Sequence, residues 1–531
     1  MTDRPPTIAR RMGIAALIVS GGVLISRLLG QVRDIVFASM LGADTATDQY
    51  VAAFALPDFL NYLLAGGFLA ITFIPIFSRY LADEDEQGGW AALSAIIRPI
   101  TIGIVAFVAI GWVAAPTVIA GLFPDFAAAE VDQTVRFTRI VLPAQVFFVV
   151  GGLLMAVQYA KGVFTIPTLA PIVYNVGIIA GGVGYYVVTG EADPEGFVWG
   201  ALGGAIVGNF ALQWWGARRV GMRLVWGTNR RHPALRQYVL IAFPLMIGQS
   251  IVVLDETFMR VFGNLVGDGV QTQLQLARRT MFVPVGIIAQ AAGVATYPFL
   301  ARMFAEGKRA ELAAAVDRAL RYVLVISMLA AALLAALTVP VVRALFQRGS
   351  FDAADSTGSA RALFFYALAI PVWGALQILT RAFYARREMW TPVVVGTATT
   401  VVAIPVFFGL QRGFGLRGVA LASTLTLAAY TGTLAVLWYR SVRPFGRIAA
   451  ATEPSLRVVP VVVAGGAAGA LAAGGITVAL GTGFLATVTA VVAGGAAFGA
   501  AALLSGGALG SVWGSCPARP ERPLNAADTP P

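Results

Sequence analysis

The feature that most constrains this chain is a succession of fourteen apolar windows, each long enough to cross a bilayer. A span takes about 20 mainly apolar residues. The windows lie near residues 12–40, 47–78, 94–122, 134–158, 165–189, 196–216, 237–262, 272–300, 320–346, 360–385, 391–411, 415–439, 457–478 and 483–505. Only 12% of the 531 residues are charged, against roughly 25% in an ordinary soluble domain. The expected fold is therefore an all-α polytopic membrane protein with 14 transmembrane helices. The apolar run after Arg10 and Arg11 continues as a long helix without a small-residue cleavage site, so it reads as the first span rather than a signal peptide.

Charge placement sets the expected orientation. With the N-terminus inside, roughly 25 Lys and Arg border cytoplasmic segments and about 5 border external loops. Both termini are expected in the cytoplasm. The net charge of +11 is spread over loops between spans and is not gathered on one soluble domain, which argues against nucleic acid as a partner. One cysteine, Cys516, excludes an intramolecular disulfide, and one histidine, His232, leaves no material for a His-based metal site or a catalytic triad.

The chain also repeats itself. Pro75, Arg79, Ala82 and Asp83 in PIFSRYLAD return as Pro298, Arg302, Ala305 and Glu306 in PFLARMFAE, an offset of 223. Tyr159, Ala160, Lys161 and Pro167 in YAKGVFTIP return as Tyr384, Ala385, Arg386 and Pro392 in YARREMWTP, an offset of 225. Six spans per repeat is an even number, so the two halves keep one orientation and are related by an axis along the membrane normal, as in transporters. The expected organisation is a cytoplasmic N-terminal segment (1–11), a first six-helix lobe (12–216), a basic cytoplasmic linker (217–236) and a second six-helix lobe (237–441). Two small-residue helices (457–505) and a disordered cytoplasmic tail (506–531) follow.

Several charges lie inside these spans. Arg27, Gly30, Gln31 and Asp34 share one helix face at i, i+3, i+4 and i+7, with Arg33 roughly 100° to one side. The second window holds Asp48, Asp58, Asn61 and Tyr62, with Pro57 and Gly66-Gly67 as bending points. The seventh holds Asp255, Glu256 and Arg260, and the eighth opens on QTQLQLARRT with Arg278 and Arg279. A charge at the bilayer centre costs about 2.5–3.5 kcal/mol and usually faces a bundle interior or a watery cavity. Two readings stand side by side. Arg33 with Asp34, and Glu256 with Arg260, have the spacing of structural ion pairs, and Arg260 and Arg278 have the reach to snorkel outward. Arg27, Arg33 and Arg279 outnumber the carboxylates near them, which points to an anion, and Arg suits pyrophosphate through its planar, permanently charged fork.

The stretches ISRLLGQVRDIVFASMLGADTATDQYVAAFALP, FTIPTLAPIVYN, LARRTMFVP, LFQRGSF, RAFYARREMWTPV and GLRGVALAS, in this order from about residue 12 to 441, resemble the MurJ (MviN) lipid II flippase family of the MOP exporter superfamily. The resemblance implies a fourteen-helix flippase of the bacterial cytoplasmic membrane, a transporter and not an enzyme. Its substrate partner would be lipid II, the undecaprenyl-pyrophosphate-linked peptidoglycan precursor, carried from the inner to the outer leaflet by rocking of two lobes about a cationic cavity. The last two helices would hold the lipid tail. By motif position, the resemblance assigns substrate contacts to Arg27, Arg33 and Arg279, and cavity geometry or gating to Asp34 and Asp48. Asn61, assigned as a fourth cavity residue, stands where many members have an arginine, and Arg278, where relatives often have an acid, would restore the positive charge. Asp255 matches the acid of the family's sodium site, but the partner span TPVVVGTATTVVAIPV has no Asn or Asp. No cofactor is implied; sodium, proton or membrane potential remain as energy sources, and a monomer is expected. The alternative is a related exporter of another polyprenyl-linked oligosaccharide. A membrane glycosyltransferase would need a large external loop with catalytic acids, and the external loops are short.

Overall fold

The computed structural model describes residues 8–64, 68–225 and 232–442, and isolated stretches at 471–472, 475, 489–490 and 492–497. Most of the expected lipid-tail helices (457–505), the tail (506–531), residues 1–7 and part of the basic linker lie outside the described residues. The first half comprises α1 (Ile8–Leu41), α2 (Thr45–Ala53), α3 (Ala55–Leu64), α4 (Phe68–Ala82), α5 (Glu86–Leu122), α6 (Ala128–Val141), α7 (Ala144–Ala160), α8 (Thr165–Thr189), α9 (Pro194–Gly204), a π-helical segment (Ala205–Ala211) and α10 (Leu212–Arg219). The second half comprises α11 (Pro233–Asn264), α12 (Val270–Ala305), α13 (Arg309–Ala336), α14 (Thr338–Phe346), α15 (Ala353–Leu368), α16 (Ile370–Ala385), α17 (Trp390–Phe414) and α18 (Leu416–Val442). The described chain is a multi-pass membrane protein built of helices.

The repeat read from the sequence reappears in the helix ends. α4 and α12 end 223 residues apart, and α8 and α17 start 225 apart and share a length of 25 residues. Each half contributes four helical stretches apolar and long enough to cross a membrane. Outside that set lie α1, α2 to α4, α11, α12 and the short α14; of these, α1, α2, α3, α11 and α12 hold Arg27, Asp34, Asp48, Asp58, Asp255 and Arg279. Each half also has its own apolar core, around Phe73, Phe77 and Trp90 in the first and Tyr366, Phe383 and Trp438 in the second.

Local chemistry explains the breaks. Asp44 and Thr47 form a reciprocal cap, with Thr47 N donating to Asp44 Oδ1 at 2.9 Å and Asp44 N to Thr47 Oγ1 at 2.8 Å. The second window was expected as one bent span and is instead divided into α2, α3 and α4. Pro57 has no N–H to offer the Ala53 carbonyl one turn back, and α2 ends at Ala53. That carbonyl accepts the Thr138 hydroxyl of α6 instead, at 3.1 Å.

Helices α8 and α9 approach through Gly177 and Gly181 on one side and Gly196, Gly200 and Gly204 on the other, the small-xxx-small spacing that lets backbones touch in lipid. A Cβ on Gly200 would stand 2.5 Å from the Gly177 carbonyl oxygen and 2.9 Å from the Ile178 Cα. Gly200→Ala is expected to push the helices apart and destabilise by about 1–3 kcal/mol. Thermal unfolding of the solubilised protein checks this, with Gly203→Ala, whose Cβ would meet nothing within 4 Å, as the silent control.

Candidate functional site

α1 and α12 come from opposite halves of the chain and meet through their charges. Asp34, 3% exposed, accepts Arg33 Nε at 3.0 Å and Nη2 at 2.9 Å. The same oxygen accepts Arg279 Nη1 from α12 at 2.5 Å. Two guanidinium groups thus share one carboxylate. Arg33 Nη1 also donates to Asn175 Oδ1 of α8 at 3.0 Å, and Asn175 Nδ2 is spent on the Pro171 carbonyl at 2.9 Å. These charges line a narrow pocket with Tyr50, Thr272 and Gln275 and the apolar side chains of Phe37, Val51, Ile178 and Leu276. At about 10 Å³ it has room for about one water. Gly30, read as a place where a helix or ligand can approach, faces Asn175.

Arg27 lies on the same α1 stripe but outside this pocket. Its Nη1 donates to the Phe282 carbonyl of α12 at 3.3 Å. The guanidinium rests where a Cβ on Gly286 would be, so a side chain at 286 would displace Arg27 from this crossing to α12. No carboxylate among the described residues pairs with Arg27. Asn61 is half-buried on α3 and lines none of this pocket.

Asp48 closes one end of the lobe interface. α12 is preceded by Gly269, a residue in the left-handed region (φ 74°) with no side chain to cap the helix. Asp48 of α2 supplies the missing cap: its Oδ1 accepts Thr272 N and Thr272 Oγ1, both at 2.8 Å. At the same end Ser350 N donates to the Ser39 carbonyl at 2.9 Å and Ser350 Oγ to the Met40 carbonyl at 3.1 Å. Asp48→Ala is expected to remove about 1–2 kcal/mol from this closure. A reporter cysteine at Gln275, in a Cys516→Ser background, then reacts about 5–30 times faster with a soluble thiol reagent.

The other in-span charges pair away from the Asp34 pocket. Arg260, 2% exposed, is not drawn outward: its Nη2 bonds Asp58 of α3 at 2.5 Å and Glu256, one turn back on α11, at 2.9 Å. The Glu256 to Arg260 pairing at i+4 was legible; its third member was not. Arg278 is 5% exposed and paired with Asp255 at 2.5 Å, and Ser423 Oγ donates to the same Asp255 oxygen at 3.1 Å. Arg278 therefore neutralises Asp255 and does not add charge to the Asp34 pocket. A buried carboxylate within reach outcompetes the path to the surface, because both charges gain from pairing in a low dielectric. Asn175, Gly286 and Thr272 were missed as site residues. For Asn175 the available signal was a polar amide inside the apolar FTIPTLAPIVYN segment.

A family model described as "Lipid II flippase MurJ" matches residues 37–490. The lipid II flippase MurJ of Burkholderia cenocepacia is 28% identical over 396 residues, covering 73% of this chain and 76% of that protein. Among solved structures, a lipid II flippase MurJ in an inward closed conformation superposes with a TM-score of 0.73 at 18% identity, over 92% of this chain and 98% of the other. A multidrug resistance MATE family transporter of the MOP superfamily, inward-facing, gives 0.64 at 15% identity, over 83% and 99%. These two likenesses establish the fold.

Proposed function

Because this chain belongs to the MurJ lipid II flippase family, we propose that it carries lipid II across the bacterial cytoplasmic membrane, from the inner to the outer leaflet, with both termini in the cytoplasm. It acts as a transporter, without covalent chemistry. The observation that carries the reading at the level of the site is the sharing of Asp34 by Arg33 and Arg279. Arg27, outside the pocket on the same helix, adds a third guanidinium group to the two that share this one carboxylate. The excess of two positive charges matches a doubly ionised pyrophosphate diester. Substrate arriving from the cytoplasmic side competes with Asp34 for Arg33 and Arg279, which belong to opposite lobes. Binding therefore changes the link between the lobes, and the difference in affinity between the two arrangements is what can drive rocking.

Asp48 and Thr272 are assigned to the external closure. The pairing of Asp255 with Arg278 supports membrane potential rather than a bound cation as the energy source, since the acid already has its counter-charge. Moving one charge through 100 mV supplies about 2.3 kcal/mol. Proteoliposomes holding the purified chain and lipid II on one leaflet test the proposal. Head-group exposure on the other leaflet, accelerated by an imposed potential and indifferent to a sodium gradient, is the expected result; no exposure above protein-free vesicles overturns it.

A further inference from the structure

A groove of about 650 Å³ opens between α5, α6 and α9 and shares no residue with the Asp34 pocket. Its polar wall is formed by Trp112, Asp132, Arg136, Arg139, Glu195 and Trp199. The sequence of α6, AAEVDQTVRFTRIV, is polar until Arg139 and then runs into the apolar start of α7. The groove thus sits where spans pass from head groups to hydrocarbon, and its two half-exposed tryptophans belong at that level.

Three charges on α6, Asp132, Arg136 and Arg139, lie at i, i+4 and i+7 and share one face. Arg136 is matched by Glu195 at 2.6 Å, and Glu195 also accepts Trp199 Nε1 at 3.2 Å. Arg139 has no carboxylate partner among the described residues. Its Nε donates to the Trp112 carbonyl at 3.1 Å and its guanidinium lies 4.3 Å from the Trp112 ring centre. This leaves most of its donor fork unused beside a lipid-facing groove. Read from the hydrocarbon outward, the wall presents an unmatched cation, an ion pair and then the carboxylate of Asp132. A phosphoglyceride with an amine head group presents its charges in the complementary order, phosphate first and ammonium beyond it. The two carboxylates also repel a head group of net negative charge.

We propose that this groove binds an amine-bearing phospholipid of the external leaflet, its phosphate on Arg139 and its ammonium toward Asp132 and Glu195. The site lies apart from the transport path, and its placement in the external leaflet rests on the orientation proposed for the chain. The test is native mass spectrometry of the full chain in detergent with equimolar phosphatidylethanolamine, phosphatidylglycerol and phosphatidylcholine of one acyl composition. The phosphatidylethanolamine adduct is expected to dominate, to fall about tenfold in Arg139→Ala, and to persist in Arg139→Lys, which keeps the charge and serves as the folded comparison. Asp132→Asn is expected to erase the preference for phosphatidylethanolamine over phosphatidylcholine. Equal retention in wild type and Arg139→Ala, or phosphatidylglycerol held at least as well as phosphatidylethanolamine, overturns the proposal.

Discussion

Replacing Arg279 with alanine is expected to abolish lipid II translocation while the protein still inserts and folds. The guanidinium side chain is 36% exposed and reaches Asp34 from the opposite lobe. Its loss leaves Asp34 with Arg33 alone and reduces the excess positive charge facing the pyrophosphate from two to one. Truncating one partner of a desolvated, charge-assisted contact costs about 2–5 kcal/mol, so the rate should fall at least about 30-fold. Arg279→Lys keeps the charge but loses the bidentate fork and is expected to fall between the two. Head-group exposure in proteoliposomes reads the rate, and Arg302→Ala, at an 80% exposed side chain, controls for the loss of a positive charge. Full activity of Arg279→Ala would remove the arginine pair from the mechanism.

The second large effect falls on stability. Arg260→Met strands Asp58 and Glu256, whose side chains are 29% and 24% exposed, beside a site that is 2% exposed. Removing one partner of a buried ion cluster typically destabilises by about 3–5 kcal/mol, because the remaining charge has no compensation. A marked drop in the thermal unfolding midpoint is expected. The triple variant Arg260→Met with Asp58→Asn and Glu256→Gln should recover most of it, since no net charge is left buried. Asp58→Asn alone should cost less, because Arg260 keeps Glu256. An unchanged midpoint in Arg260→Met would mean that water reaches both carboxylates and screens them.

This triad also joins α3 to α11, and hence the two lobes. Together with the Asp48 cap on α12, the Asp34 pair of arginines and the Arg27 contact with the Phe282 carbonyl, it forms charged links across the lobe interface, each between residues more than 200 positions apart. Rocking must break or exchange such links. Among the carboxylate links, an anion can compete for the Asp34 one, because Arg279 is more exposed than Arg260 or Thr272.

Hydropathy marked the long helical stretches, because a bilayer demands apolar helices whatever their neighbours, but it did not show that the second window divides into α2, α3 and α4. The repeat was legible for a related reason: Pro75 and Pro298, or Tyr159 and Tyr384, mark equivalent helix ends, and helix ends are local chemistry. Helical spacing also put Arg27 and Asp34 on one stripe and paired Glu256 with Arg260. What the sequence could not contain is which stripe faces which. Periodicity fixes the face of one helix, but the rotation and neighbour of that helix are set by packing. Only the tertiary structure could therefore bring Arg279 to Asp34, spend Arg260 on Asp58 and Arg278 on Asp255, leave Asn61 outside the pocket, and let α12 borrow its cap from Asp48. The identities of the charges were in the chain; their partners, and so the net charge left for a substrate, were decided by the fold.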